Sequence, residues 1–170
     1  LFLSGANANS QKLYCYNRLT GGLIWAKDVK DIPGHPTTPI KVTNDTGHAA
    51  PSVSTDGKRV YVIFATGDVA CFNFKGEMLW GKNIGVPDNH YGHSSSLISF
   101  KNKLIIQFDH NKSQQIIALN IYTGEEEWKT KHDGRISWAS PILIKATSNP
   151  EIIVANEPYV TSLDFNTGKV

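Results

Sequence analysis

At 170 residues, with 40% hydrophobic and 19% charged positions, the chain has the composition of an ordinary globular β protein. Its net charge of +2 comes from Lys and Arg scattered along the sequence rather than gathered on one stripe, which argues against a nucleic-acid partner. No apolar run approaches the roughly 20 residues of a membrane helix, so no transmembrane segment is expected.

In chain order, Leu1-Phe-Leu-Ser4 begins a strand, and a phrase then follows that recurs four times. It runs Leu13-Tyr-Cys-Tyr-Asn-Arg-Leu-Thr-Gly21-Gly-Leu-Ile-Trp25, then Val69-Ala-Cys-Phe-Asn-Phe-Lys-Gly76-Glu-Met-Leu-Trp80. It returns as Ile116-Ile-Ala-Leu-Asn-Ile-Tyr-Thr-Gly124-Glu-Glu-Glu-Trp128 and starts again as Val160-Thr-Ser-Leu-Asp-Phe-Asn-Thr-Gly168. The glycines are 55, 48 and 44 residues apart, and each of the first three precedes a Trp by four positions. Self-similarity at this period marks a repeat architecture.

Each phrase reads as a β-hairpin. Its first arm is apolar and rich in β-branched and aromatic residues; its turn carries Asn or Asp and then Gly. Its short second arm ends on Trp, a ring that one hairpin cannot bury by itself. Upstream lie small-residue segments, His48-Ala-Ala-Pro-Ser-Val53, His93-Ser-Ser-Ser-Leu-Ile98 and Trp138-Ala-Ser-Pro-Ile-Leu143, 45 residues apart. Apolar runs follow them at Val60–Phe64, Leu104–Phe108 and Ile152–Ala155. Every unit therefore has four strand candidates, here A to D in chain order.

The strands are expected at 48–53, 60–65, 69–74, 78–82, 94–99, 103–108, 115–120, 125–129, 139–144, 151–155 and 160–165. Four-stranded antiparallel units of this length describe the blade of a β-propeller. The fold expected is all-β, about three and a half blades in one partial domain over 1–170, at approximately 1–30, 47–83, 92–131 and 136–170. The first unit lacks a strand A and the fourth stops before its Trp, so this is an incomplete arc. Missing blades of the same protein, or a second chain, are expected to complete it. Trp25, Trp80 and Trp128 are expected as structural packing between blades, with Gly21, Gly76, Gly124 and Gly168 in the turns. Cys15 and Cys71 share one repeat position on separate sheets, about 10 Å apart, too far for a disulfide.

The histidines all fall at one end of the units. His35, His48, His90, His93 and His132 lie in or at the end of D–A connections, and His110 in a B–C connection. Loops on a rigid scaffold carry function, so this face is the expected binding face. The candidate ligand- or partner-binding residues are His48, His90, Tyr91, His93, His110 and Trp138. His48, His93 and Trp138 start successive copies of strand A and are expected to rim the central channel. His90-x-x-His93 has no accompanying Cys or carboxylate cluster, so no metal site is expected, and no catalytic residue is nominated.

The combination of small strand A, apolar strand B and Asn/Asp-x-x-Thr-Gly-x-x-x-Trp resembles the PQQ-like, quinoprotein-type propeller repeat. It is clearest at Ala118-Leu-Asn-x-x-Thr-Gly-x-x-x-Trp128, and the turn at 72–80 is one residue shorter. The resemblance implies a periplasmic or extracellular protein of one of two kinds. One is a non-catalytic scaffold that binds a protein or small ligand and needs no cofactor. The alternative is a segment of a PQQ-dependent alcohol or sugar dehydrogenase, with PQQ and calcium over the central channel. No adjacent-Cys pair and no haem-binding Cys-x-x-Cys-His occurs, which favours the scaffold.

Overall fold

The computed structural model describes residues 1–145 and 149–170. Fourteen strands form four antiparallel sheets among the described residues, and no helix is present there. The first sheet contains β1 (Phe2–Asn7), β2 (Ser10–Tyr16) and β3 (Leu23–Asp28). The second contains β4 (Ser54–Thr55), β5 (Arg59–Ile63), β6 (Asp68–Asn73) and β7 (Met78–Asn83). The third contains β8 (Ile98–Phe100), β9 (Lys103–His110), β10 (Ser113–Asn120) and β11 (Glu126–Lys131). The fourth contains β12 (Ile142–Ile144), β13 (Glu151–Asn156) and β14 (Tyr159–Asp164). Each sheet is an up-and-down meander in sequence order, so the expected blades are present as two of four strands and two of three.

The sheets stack face to face because the middle ones are apolar on both sides. Val60, Val62, Ala70 and Phe72 point toward the first sheet and meet Leu13, while Tyr61, Ile63, Val69 and Cys71 point the other way. There they meet Leu104, Ile106, Ile117 and Leu119 of the third sheet. Ile105, Ile116 and Ala118 in turn meet Ile152, Val154 and Leu163 of the fourth. This is a period-two pattern spent on two neighbours rather than on core and solvent. Cys15 and Cys71 are buried free thiols, and burial pushes the Cys71 thiol up to about 12.

The repeated Gly and Trp make the joint between sheets. Gly21, Gly76, Gly124 and Gly168 all sit at φ between +70° and +82°, a region L side chains rarely adopt. In all four turns the Asn or Asp side chain (Asn17, Asn73, Asn120, Asp164) accepts two turn N–H groups. The indole Nε1–H of Trp25, Trp80 and Trp128 donates to the carbonyl of Phe74, Ile121 and Phe165, each in the next sheet's turn. A Cβ at Gly124 would lie 2.6 Å from the Trp80 ring, and one at Gly168 would lie 2.5 Å from Trp128. The three rings are half-buried in this shared position rather than enclosed.

Strand A departs most from expectation. Residues 48–53, 94–97 and 139–141 are not laddered, and pairing begins only at β4, β8 and β12. Pro51 and Pro141 cannot donate to a ladder, and the segments bond sideways instead. Ser52 N–H donates to Ser96 Oγ at 3.0 Å, and Ser96 N–H to Ser140 Oγ at 2.9 Å, one rung per sheet. The remaining strands fall within about two residues of their expected limits.

Candidate functional site

The β1–β2, β5–β6, β9–β10 and β13–β14 turns gather at one end of the sheets with the long connections that leave β3, β7 and β11. All six histidines contact this end, as the connection pattern required. Thr43 N–H donates to His90 O, Ala65 N–H to His48 O, and His93 N–H to Ala65 O, so the connections are tied to the β5–β6 turn. A Cβ at Gly92 would lie 2.6 Å from the Ala65 side chain, which explains a glycine at this crossing.

The six candidate residues divide into three environments. His90, Tyr91 and Trp138 form one aromatic group: the His90 and Tyr91 rings are 4.2 Å apart, and Tyr91 meets Trp138 edge-on at 5.1 Å. Trp138 is 44% exposed, a large open surface for an indole. His93 and His110 form a second group on either side of Phe108, at 5.8 and 5.1 Å. His93 is fully enclosed there: its ring Nε2 bonds Ser95 O at 2.9 Å, and burial pushes its pKa down to about 4. It is a packed, self-satisfied side chain and does not rim an open channel. His110 is half-buried and also held below the usual imidazole range by burial. His48 stands apart from both groups and lines a cleft beside β3.

Two buried carboxylates, neither among the six candidate residues, join this end. Asp68, fully enclosed at the start of β6, accepts from Gln11 Nε2, Thr66 Oγ1, Asn83 Nδ2 and, at 2.6 Å, faces His35 Nδ1. Burial alone would favour its neutral form, but these bonds outweigh it and hold the carboxyl below the usual range. Asp109 at the end of β9 pairs with His132 Nε2 at 2.9 Å and accepts from Gln107 Nε2. Burial opposes the charged form of His132, yet Asp109 wins and raises its pKa. Asn156 Nδ2 reaches the His132 ring and the carbonyls of Asp133 and Arg135, binding this connection to the fourth sheet. A carboxylate opening a fully apolar strand, as in Thr66-Gly-Asp68-Val-Ala, is the signal that could have pointed to Asp68.

A calcium ion under a quinone needs several carboxylate and amide oxygens brought to one point. Ser52, Ser96 and Ser140 offer only neutral hydroxyls, those of Ser96 and Ser140 already accepting an N–H, and Asp68 and Asp109 are committed to bonds within the chain. No group of three or more His, Cys, Asp or Glu able to hold a metal ion occurs among the described residues. The described residues of this arc do not by themselves form such a site.

A family model described as outer membrane protein assembly factor BamB matches residues 9–170. No curated protein sequence matches. Among solved structures, BamB from Moraxella catarrhalis superposes with a TM-score of 0.62 at 14% identity, covering 99% of this chain and 44% of that one. Quinohemoprotein alcohol dehydrogenase from Comamonas testosteroni gives 0.65 at 16% identity, covering 98% and 33%. A europium-containing methanol dehydrogenase gives 0.63 at 10% identity, covering 99% and 38%. These identities establish a shared fold, and the chain spans less than half the length of each of the three. The fold is thus a β-propeller arc, and by its match over 9–170 the chain belongs to the PQQ-like repeat family described by outer membrane protein assembly factor BamB.

Proposed function

We propose that this chain is part of a non-catalytic propeller that binds a partner on the face holding the D–A and B–C connections. The carrying observation is the open aromatic group of His90, Tyr91 and Trp138, set on connections that are stitched to the rigid sheets. Aromatic side chains with a polar rim are the usual anchors of protein interfaces. His93 and His110, packed on Phe108, and His48, in the neighbouring cleft, lie on the same face. The partner is a protein or a small ligand, and the remaining blades of the propeller supply the rest of the contact surface. The family description, outer-membrane assembly, supports a periplasmic or extracellular setting for it.

The dehydrogenase alternative shares the fold, and a redox assay separates the two. Intact protein mixed with PQQ, calcium, an alcohol or sugar and a redox dye should reduce no more dye than a protein-free control. Quinone-dependent dye reduction that saturates with substrate would overturn the non-catalytic proposal.

A further inference from the structure

A cleft of about 720 Å³ opens on the same face, between the β1–β2 turn and the connection that runs from β3 to His48. It lies within the usual range for small-ligand sites. His48 is the one candidate binding residue that lines it. His35 enters its wall with the side chain half exposed, while Nδ1 is fixed 2.6 Å from the enclosed Asp68 carboxylate. Asp68 holds Nδ1 as the protonated nitrogen, because an ionised carboxylate can only accept. In the neutral ring Nε2 is then the acceptor, and no group of the described residues bonds it. A carboxylate behind an imidazole in this way fixes both the tautomer and the ring orientation.

The opposite wall is irregular backbone. Among the described residues, the N–H groups of Thr37, Thr38 and Ile40 in this wall donate no hydrogen bond. Pro36, Pro39 and Ile40 add apolar surface between these donors, and Asn7 and Asn9 add amides across the gap. Asp31, also in the wall, is held at φ +59°, a strained conformation for a residue with a side chain. Such strain gathers where a binding surface dictates the backbone. Beneath the cleft, the Oε1 of the buried Gln11 lacks a partner although its Nε2 is doubly bonded. Lys12 neutralises Asp28, and the remaining Lys30 and Asp31 have opposite signs, so the cleft has no net charge to attract an ion.

We propose that this cleft binds a short, uncharged, extended peptide segment of a partner protein, with His35 Nε2 accepting a main-chain N–H. The Thr37, Thr38 and Ile40 N–H groups then meet the peptide carbonyls, and the prolines and Ile40 receive its alternate side chains, as in other modes of peptide capture. No Trp, Tyr or Phe lines the cleft, so it lacks the ring on which a sugar stacks. The site stands independently of the aromatic group, none of whose rings lines it.

The test is a titration of the intact, isotopically labelled protein with the blocked pentapeptide acetyl-Val-Thr-Val-Thr-Val-amide, with maltotriose in a parallel arm. The peptide should shift the amide signals of Asn9, His35 and Thr38 saturably. His35→Ala should weaken binding by about five-fold or more, the effect of losing one hydrogen bond. His35→Gln, which keeps an acceptor, should recover part of it, and Trp138→Ala should leave it unchanged. No saturable shift below about 5 mM, shifts with maltotriose alone, or equal affinity in His35→Ala would each overturn the proposal.

Discussion

His93 and His132 lie about one sheet apart in the stack, yet their surroundings drive their protons in opposite directions. His93 is neutral when folded, with its pKa lowered to about 4, so the unfolded chain takes up a proton that the folded chain refuses. Stability from this source is complete above the ordinary imidazole value of about 6.5 and is lost as pH falls from there toward 4, on the order of 3 kcal/mol in all. His132 is the reverse case, raised by Asp109. Its contribution is complete below about 6.5 and fades as pH rises through the raised value. Thermal melts of the protein should therefore be highest near the ordinary imidazole pKa. His93→Phe should flatten the acid limb, and His132→Gln should flatten the alkaline limb. An acid limb of unchanged slope in His93→Phe would assign the loss to carboxylates such as Asp56 and Asp68, also held below their usual range.

At the scale of the element, the joint between sheets rests on one indole and one glycine per repeat. Trp80 both packs on Gly124 and donates to Ile121 O at 3.0 Å, so two substitutions separate its roles. Trp80→Phe keeps most of the packing and should cost about 1 kcal/mol for the lost bond. Trp80→Ala should cost about 3 kcal/mol, the lower end for large aromatic deletions because the ring is only half-buried. Gly124→Ala meets two penalties together, a φ of +73° and a Cβ 2.6 Å from the ring, and should destabilise by about 2 kcal/mol or more. Chemical denaturation of the three variants checks the order. If Gly124→Ala proved neutral, the Trp–Gly contact would not be the joint described here.

These joints were legible because they repeat: Asn or Asp, Gly and Trp recur at fixed offsets, and strand burial follows period two with both faces apolar. Strand A was legible as a segment but not as a ladder. Small residues and Pro51 or Pro141 give no local sign that Ser52 and Ser96 bond to the next repeat rather than to strand B. The gathering of the histidines at one end followed from which connections carry them. Burial of His93 did not, because it depends on Phe108 packing against it from β9, and on Ala65 closing over Gly92. The His35–Asp68 pair spans 33 residues across a long connection, a contact no spacing rule reveals.

Taken as a whole, the molecule has two buried middle sheets and two outer ones whose far faces are open. Leu3 is 56% exposed on the first sheet, and Ile142 and Val160 are 63% and 75% exposed on the fourth. Apolar sheet faces of this kind associate in water. Residues 1–170 in isolation should therefore self-associate at micromolar concentration, and Leu3→Lys with Val160→Lys should suppress this in sedimentation; equal association in the double variant would place the contact elsewhere. The two ends of the stack differ in what they offer a partner. One carries the stitched connections with Trp138, and the other carries the Gly turns with Tyr122, whose ring is covered by the Arg59 guanidinium at 4.5 Å. The most direct measurement is site-specific photo-crosslinking of the intact protein in its own cells, with the reactive residue placed in turn at 138 and at 122. A discrete crosslinked species at 138 that is absent at 122, and lost on Tyr91→Ala, is the predicted result; crosslinking at 122 alone, or equally at both, contradicts the assignment of the binding face.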